Sequence, residues 1–430
     1  MKKIKLIYEK KIGNEFIPNG LPKDWVIHHL NQQPTIFFNN EEYTNLPVRS
    51  CPNEDIFNNI GIEPEKVLIN EVNHIDSNCY LIFEPHGCEE QFFYGYSIYK
   101  GFLDELSETT LKLLKTDQLK ILINYCYEPY PHNVLKQLDQ YLTKKGIDSK
   151  RVYFMSGNLL LEEINKTRIN VLSIGDYFNY SKFFMYKERK KRLLSNIKKN
   201  KLRKKKFLYP NRNPHLHRLI LTGLLLNENF EKENYVSFPK DMFYKNDDLK
   251  YKTSDFDSGW HKYGCWYKGR VSEGLATLRR KAPLIIDKED FSDNDYMTDI
   301  NECLYTNSYI SIVSETLFFS DDNIFFSEKL NKTIECFHPF ILVGTAGSLE
   351  KLRELGFQTF SPWINEEYDQ IKNHWDRLYF IKKEILRLSK MDFCEVHALY
   401  MSLLNILNHN YENLKNFNKD REKSMRFFNS

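Results

Sequence analysis

Apolar positions in the second half of the chain follow two periods in turn. The run Tyr309–Ser314 is rich in β-branched residues and predicts a buried strand. Ser327, a good N-cap, precedes apolar residues at 330, 334 and 337, which is a helical spacing. Phe340–Val343 is wholly apolar, as is typical of a strand in a parallel sheet. Leucines at 349, 352 and 355 then predict a second helix, which ends before Gly356. This order of strand, helix, strand, helix predicts half of a doubly wound domain.

The first half of the chain shows the same alternation in shorter segments. Met1–Tyr8 is a basic start to a short strand, and Asn133–Lys145 has helical spacing. Five further short apolar runs predict strands: Val67–Ile69, Tyr80–Phe83, Ile121–Asn124, Val152–Met155 and Val171–Ile174. We therefore predict an α/β fold with two doubly wound, Rossmann-like domains.

A basic segment marks the predicted boundary between these domains. Residues 187–206 contain twelve Lys or Arg against the single acid Glu188. We predict an N-terminal domain at 1–183, a linker at 184–206 and a second domain at 207–375. Helices from Asp376 to Met391 and from Glu395 to Leu414 fall in a C-terminal part, 376–430. Its end, from Asn416, is polar and is predicted to fray.

Composition limits the class of protein. The 430 residues are 41% hydrophobic and 15% aromatic, enough to bury two cores and inconsistent with disorder. No run reaches the roughly 20 apolar residues of a membrane span, and the start lacks the features of a signal peptide, so we expect a soluble, cytoplasmic protein. The eight cysteines have no paired spacing, so we predict neither a disulfide framework nor a metal site.

The loops after predicted strands hold the candidate ligand-binding residues. Ser327, Glu328 and Lys329 open a helix whose free N–H groups and dipole favour a diphosphate, while Glu328 can accept sugar hydroxyls. In the alternative interpretation, Glu328 only stabilises its own helix and Lys329 is a solvated charge. Glu315 ends the preceding strand on the same side, and Asp287 is a candidate for ribose hydroxyls or a turn residue.

The loop that follows the predicted strand 206–209 adds three basic candidates. Arg212, His217 and Arg218 lie between this strand and the start of the helix Leu216–Leu226, at the sheet edge where doubly wound domains bind ligands. Arginine can hold two phosphate oxygens at once. The alternatives are a surface ion pair for Arg218 and a capping or core position for His217.

Two resemblances give these residues a more specific interpretation. The segment 326–330, Phe-Ser-Glu-Lys-Leu, followed by the strand after Pro339, resembles the donor site of α-1,3-fucosyltransferases, with Ser for Thr and a shorter spacer. Roughly residues 205–390 resemble uncharacterised glycosyltransferase-like proteins of phages and marine bacteria. That wider likeness rests on Ala282–Asp287, Ser314–Thr316, Gly356–Phe360 and the pairs Asn211-Arg212 and His217-Arg218.

The resemblance implies a GT-B glycosyltransferase, whose two Rossmann-like domains face a cleft and whose C-terminal part, 376–430, packs back across the domains. Such an enzyme transfers a hexosyl or pentosyl group from a UDP- or GDP-sugar. We expect no required metal, with Arg212, Arg218 and Lys329 balancing the charge of the leaving diphosphate. The catalytic base should come from the first domain, where Glu128 and His86 each follow a predicted strand, although a carboxylate there often caps the next helix.

The acceptor is left open between a saccharide, a protein and modified phage DNA. The basic segment Lys187–Lys206 is most simply a solvated linker, because the whole chain has a net charge of only +3, but it also suits contact with nucleic-acid phosphates. The alternative function is a nonenzymatic nucleic-acid-binding or structural protein that retains the glycosyltransferase fold.

Overall fold

Two compact units make up the chain, one from Met1–Tyr180 with Asn418–Ser430 and the other from Ser181–Phe417. They are seen in a computed structural model. The structure describes residues 2–8, 57, 60–68, 74–76, 78–83, 103, 106–126, 132–175, 177–178, 185, 187–211, 215–238, 265–286 and 300–429. None of the helices in these ranges is both long enough and apolar enough to cross a membrane.

The first unit is built on a parallel sheet of six described strands. The strands are β1 (Lys2–Tyr8), β2 (Ile62–Leu68), β3 (Cys79–Phe83), β4 (Lys120–Tyr125), β5 (Val152–Ser156) and β6 (Asn170–Ser173). Their order is β2-β1-β3-β4-β5-β6, with every pairing parallel, so the winding reverses between β1 and β3. The described helices of residues 1–180 are α1 (Glu108–Lys115), α2 (His132–Lys145) and α3 (Leu161–Ile164).

The second unit repeats this architecture with four described strands in the order β10-β9-β7-β8. They are β7 (Lys205–Tyr209), β8 (Tyr235–Val236), β9 (Ser308–Ser314) and β10 (Phe340–Val343), and all pair in parallel. Its described helices are α4 (Lys187–Lys198), α5 (Leu216–Leu226), α6 (Cys265–Lys281), α7 (Glu302–Thr306), α8 (Glu328–Glu335), α9 (Ser348–Glu354), α10 (His374–Ser389), α11 (Phe393–Ser402) and α12 (Leu404–Lys415).

These two parallel sheets confirm the predicted α/β class with two Rossmann-like domains. The strands β9 and β10 and the helices α5 and α8 lie where the apolar spacing placed them. The single helix predicted from Glu395 to Leu414 is wrong, because α11 ends at Ser402 and α12 begins at Leu404. The basic segment also differs from a simple linker, since its first part forms α4 within the second unit.

The prediction that the C-terminus frays is wrong. Residues Lys419–Phe427 form a last helix, α13, which belongs to the first unit. Phe428 is 1% exposed, and its ring centroid lies 5.5 Å from that of Tyr80 in an edge-to-face contact. Phe427 packs in the same way on Tyr153, at 5.1 Å. Phe427 and Phe428, two aromatic residues in an otherwise polar segment, thus belong to the core of the first unit, together with residues of β1.

Two helices of the second unit, α5 and α6, cross at close range. Helix α5 packs against α6, and Gly223 meets Gly274 at the contact. A Cβ atom added to Gly223 would lie 2.5 Å from the carbonyl carbon and oxygen of Gly274, which are backbone atoms and cannot rotate away. Gly223 therefore requires the absence of a side chain, while a Cβ atom on Gly274 would lie 3.1 Å from the backbone carbonyl carbon of Gly223, a tight contact.

We expect Gly223→Ala to lower the free energy of unfolding of the second unit by about 1–3 kcal/mol, because the methyl group forces the two helix backbones apart. At an uncrowded helix position the same change would be stabilising. Urea denaturation measures the difference, with Ser272→Ala on the exposed side of α6 as the control. A more stable Gly223→Ala variant would contradict the close crossing.

We expect Phe428→Ala to cost the first unit about 3–5 kcal/mol, since it removes a fully buried ring. Arg426→Ala, on the exposed side of α13, should change stability by no more than about 0.5 kcal/mol. Thermal unfolding of both variants against the unmodified protein tests this, and equal midpoints in all three would show that the terminus does not contribute to the core.

Candidate functional site

The carboxyl ends of β7 and β9 form the centre of the candidate site. The two strands are neighbours, and the winding of the second sheet reverses between them, since β8 lies outside β7 and β10 lies outside β9. In doubly wound sheets, ligands bind outside the carboxyl ends of the strands at such a reversal. The Tyr209 hydroxyl, 3.2 Å from Ser314 Oγ, links the two strand ends.

The first turn of α5 packs against the end of β9. Arg218 is 2% exposed, and its Nη2 donates to the carbonyl oxygens of Ser314 at 2.8 Å and Glu315 at 2.9 Å. His217 Nε2 lies 3.0 Å from the same Glu315 oxygen and must donate, because a carbonyl only accepts. Burial and the charge of Arg218 lower the pKa of His217 well below its ordinary value, so its ring is neutral.

Glu315 connects β9 to the start of α8. Its side chain is 1% exposed, and Oε2 accepts a hydrogen bond of 3.1 Å from the Ser327 backbone N–H. Its other oxygen, Oε1, is buried without a hydrogen-bond partner among the described residues. Burial raises the pKa of Glu315, while Lys329 and the contacts with Ser327 act in the opposite direction. A buried acceptor is therefore held beside the helix terminus.

The N-terminus of α8 combines a serine cap with a lysine and a glutamate. Ser327 caps the helix by accepting from the Lys329 N–H, as its residue type predicted. Lys329 Nζ lies 3.2 Å from Ser327 Oγ and 3.0 Å from Glu328 Oε1. The Lys329 side chain is 31% exposed and that of Glu328 is 14% exposed. An ammonium group at a helix N-terminus favours a bound phosphate, and the carboxylate can accept hydroxyl groups.

Arg377 on α10 is part of the supporting structure that the sequence interpretation missed. It is 1% exposed and donates to the carbonyl oxygens of Phe318 at 2.7 Å and Gly344 at 3.2 Å, beyond the ends of β9 and β10. Burial lowers the pKa of Arg377 to about 10. The ring of Phe318 stacks on His217 at 5.2 Å. The available signal was that Arg377 is in register with the apolar stripe of α10 at 381 and 385.

The structure thus brings together six of the predicted residues: His217, Arg218, Glu315, Ser327, Glu328 and Lys329. Arg218 contacts backbone carbonyls at the strand end, where the sequence had suggested phosphate or a surface ion pair.

The other four candidates, Arg212, Asp287, Glu128 and His86, lie outside the described residues, and their roles stay predictions. Two Asp-x-Asp triplets, 255–257 and 293–295, also lie outside them. Carboxylates bind Mg²⁺ together with substrate phosphates, so these triplets are candidate metal ligands that the sequence interpretation missed, and the absence of a metal requirement stays a prediction. Within the described residues no group of His, Cys, Asp or Glu has a metal-binding arrangement.

Comparison with solved structures found proteins of similar outline. One is a UDP-forming α,α-trehalose-phosphate synthase from Burkholderia xenovorans, with a TM-score of 0.37 and 12% identity over 74% of this chain and 70% of that one. Another is the N-terminal domain of Candida albicans trehalose-6-phosphate phosphatase, with a TM-score of 0.40 and 10% identity over 100% and 97%. A third is a glycosyltransferase from Rickettsia africae, with a TM-score of 0.34 and 12% identity over 96% of this chain and 99% of that one.

These likenesses are too weak to carry an argument about what this chain binds or catalyses. No protein-family model matches the chain, and no curated protein matches it by sequence. The assignment of a function therefore depends on the site itself and on the resemblance of its residues.

We expect Glu315→Gln to become more stable relative to the unmodified protein as the pH rises. Because burial raises the native pKa of Glu315 above that of the unfolded chain, its favourable contribution is present at low pH and is lost as the pH rises through the native pKa. Glutamine cannot ionise, so it escapes this loss. Urea denaturation of both proteins between about pH 4 and pH 7 measures the effect; a pH-independent difference would contradict it.

Proposed function

We propose that this protein is a glycosyltransferase of the GT-B type, which transfers a hexosyl or pentosyl group from a UDP- or GDP-sugar. The observation that carries the proposal is the partly exposed Lys329 ammonium at the N-terminus of α8, beside the reversal of the second sheet. The resemblance of 326–330 to the donor site of α-1,3-fucosyltransferases supports the same role.

In this proposal, Lys329 at the N-terminus of α8 binds the donor diphosphate. As the sugar leaves, negative charge builds up on the diphosphate, and a fixed ammonium at the positive end of a helix dipole stabilises that charge without reorganising. Glu328 accepts hydrogen bonds from hydroxyl groups of the donor. Arg212, in the loop after β7, adds a second cation and Asp287 a second hydroxyl acceptor.

The buried residues position this set. Arg218 and His217 hold the Ser314 and Glu315 carbonyl oxygens, and the Glu315 side chain holds the Ser327 N–H. The strand end, the first turn of α5 and the start of α8 therefore form one hydrogen-bonded unit. Such support keeps a binding site within the small tolerance that catalysis needs. We propose no required metal, because these cations can carry the leaving charge.

The acceptor and its base belong to the first unit in this scheme. An inverting transfer needs a group that removes the proton of the acceptor hydroxyl. Glu128 and His86 remain the candidates, and a saccharide, a protein and modified DNA remain possible acceptors.

A thermal-shift screen of the full chain against UDP, GDP, CDP, ADP and their common sugar conjugates tests the proposal. A bound donor raises the unfolding midpoint by mass action. We expect Lys329→Ala to weaken the binding of the nucleotide that stabilises the protein by about tenfold or more, because a charged hydrogen bond is lost. Lys332→Ala, at the other end of α8, makes the same change in charge and should bind normally. Transfer assays with magnesium and with a chelator test the need for a metal.

Stabilisation by one nucleotide, lost only in Lys329→Ala, would support this donor site. No shift with any nucleotide, together with DNA binding that falls steeply with salt, would instead favour the nonenzymatic nucleic-acid-binding alternative.

A further inference from the structure

The basic segment 187–206 divides into two parts that differ in their partners. In the first part, cations of α4 pair with carboxylates. These pairs are Arg189 with Glu335 and Glu302, Lys190 with Glu412, Lys191 with Glu188, and Arg192 with Glu302. These cations of α4 are therefore largely neutralised within the fold, as is Lys206 at the end of the segment, which pairs with Glu233.

A cavity of about 230 Å³ lies against the second part of the segment. Its lining includes Lys199, Lys201 and Arg203, and the described residues that line it include no aspartate or glutamate. Asn196 and Asn307 add amide groups, and Tyr400 adds an aromatic wall. Three cations thus converge on one concave space without a carboxylate to balance them.

Arg203 is the fixed member of these three cations. Its Nη1 donates to the carbonyl oxygen of Tyr305 at 3.1 Å and also to that of Ser308. Its guanidinium carbon lies 3.9 Å from the ring centroid of Tyr400. Carbonyls and aromatic rings hold the group in place but leave its full charge, so it contributes a permanent positive potential to the cavity.

A chain of hydrogen bonds connects two residues of the cavity lining, His397 and Arg203. Asn200, with a φ of 50°, is in the left-handed region, which asparagine tolerates better than most residues. Its Oδ1 lies 2.8 Å from His397 Nε2, and His397 Nδ1 lies 3.0 Å from the Tyr309 hydroxyl. That hydroxyl accepts the Arg203 backbone N–H at 2.8 Å. His397 and Arg203 are therefore held in place before any ligand binds, which reduces the entropic cost of binding.

The cavity is separate from the candidate donor site. Thr306 and Asn307 in its lining directly precede β9, whereas Glu315 follows the other end of that strand. Seven extended residues span about 20 Å, so one bound diphosphate cannot occupy both places.

We propose that this cavity binds a phosphate group, carried either by a small phosphate ester or by a nucleic-acid strand. Lysine and arginine are the usual phosphate ligands, and the uncompensated charge favours a dianion over a neutral ligand. The volume is below the roughly 300 Å³ of pockets for drug-sized molecules, so the space suits one phosphate with a few attached atoms. Exposed Leu202, at 56%, can contact the attached group.

Calorimetric titration of the full chain with pyrophosphate tests the site. The parent protein carries Lys329→Ala, so that the candidate donor site does not contribute, and two double variants of it are compared. We expect Lys199→Ala with Lys201→Ala to weaken binding about tenfold or more, as the loss of charged hydrogen bonds predicts. The matched control is Lys198→Ala with Lys204→Ala, which removes the same charge from exposed lysines outside the cavity lining. It should bind nearly normally.

Equal weakening in both double variants would overturn the proposal, because attraction by general surface charge would then explain the binding. The proposal would also be overturned if the parent protein bound neither pyrophosphate in calorimetry nor oligothymidylate in fluorescence anisotropy. If oligothymidylate binding is lost in the cavity variant and kept in the control, the phosphate belongs to a nucleic acid. If only pyrophosphate binding follows that pattern, the ligand is a small phosphate ester.

Discussion

The second unit depends on satisfying the backbone of β9, a strand whose seven residues are all buried. Strands β7 and β10 pair with it on either side, and at each end an arginine and a histidine bind the remaining carbonyl oxygens. Arg203 and His338 do so at the amino end, and Arg218 and His217 at the carboxyl end. A buried carbonyl without a partner would cost about 1–3 kcal/mol, so these four side chains are part of the strand's stability.

The two histidines and the two arginines at the ends of β9 differ in charge. Burial lowers the pKa of His338 to about 3 and that of His217 well below its ordinary value, so both rings are neutral donors at physiological pH. The arginines keep their charge and donate to neutral carbonyl groups. At the carboxyl end the carboxylates of Glu315 and Glu328 act on Arg218 and offset its charge. At the amino end the described lining of the adjoining cavity holds no carboxylate, so the positive potential of Arg203 remains.

The candidate residues at the carboxyl edge differ in burial. Arg218, His217 and Glu315 are buried and bind the backbone, whereas Lys329 and Glu328 reach solvent. The sequence indicated all five as one set of candidates, because residue type and position after a strand are all that it shows. It could not separate the two roles, since burial depends on packing from α5 and α10. For the same reason Arg377, more than 30 residues from the nearest of its two strand ends, was missed.

The sequence by itself determined the elements whose causes are local. Apolar spacing placed β9, β10, α5 and α8, and Ser327 marked the first turn of α8, because periodicity and capping act within a few residues. Only the tertiary structure decided which groups meet across long separations. Phe428 enters the core beside Tyr80, and Glu315 reaches the Ser327 N–H twelve positions ahead. Such contacts follow from how the sheets bring distant segments together, and no local pattern encodes that choice.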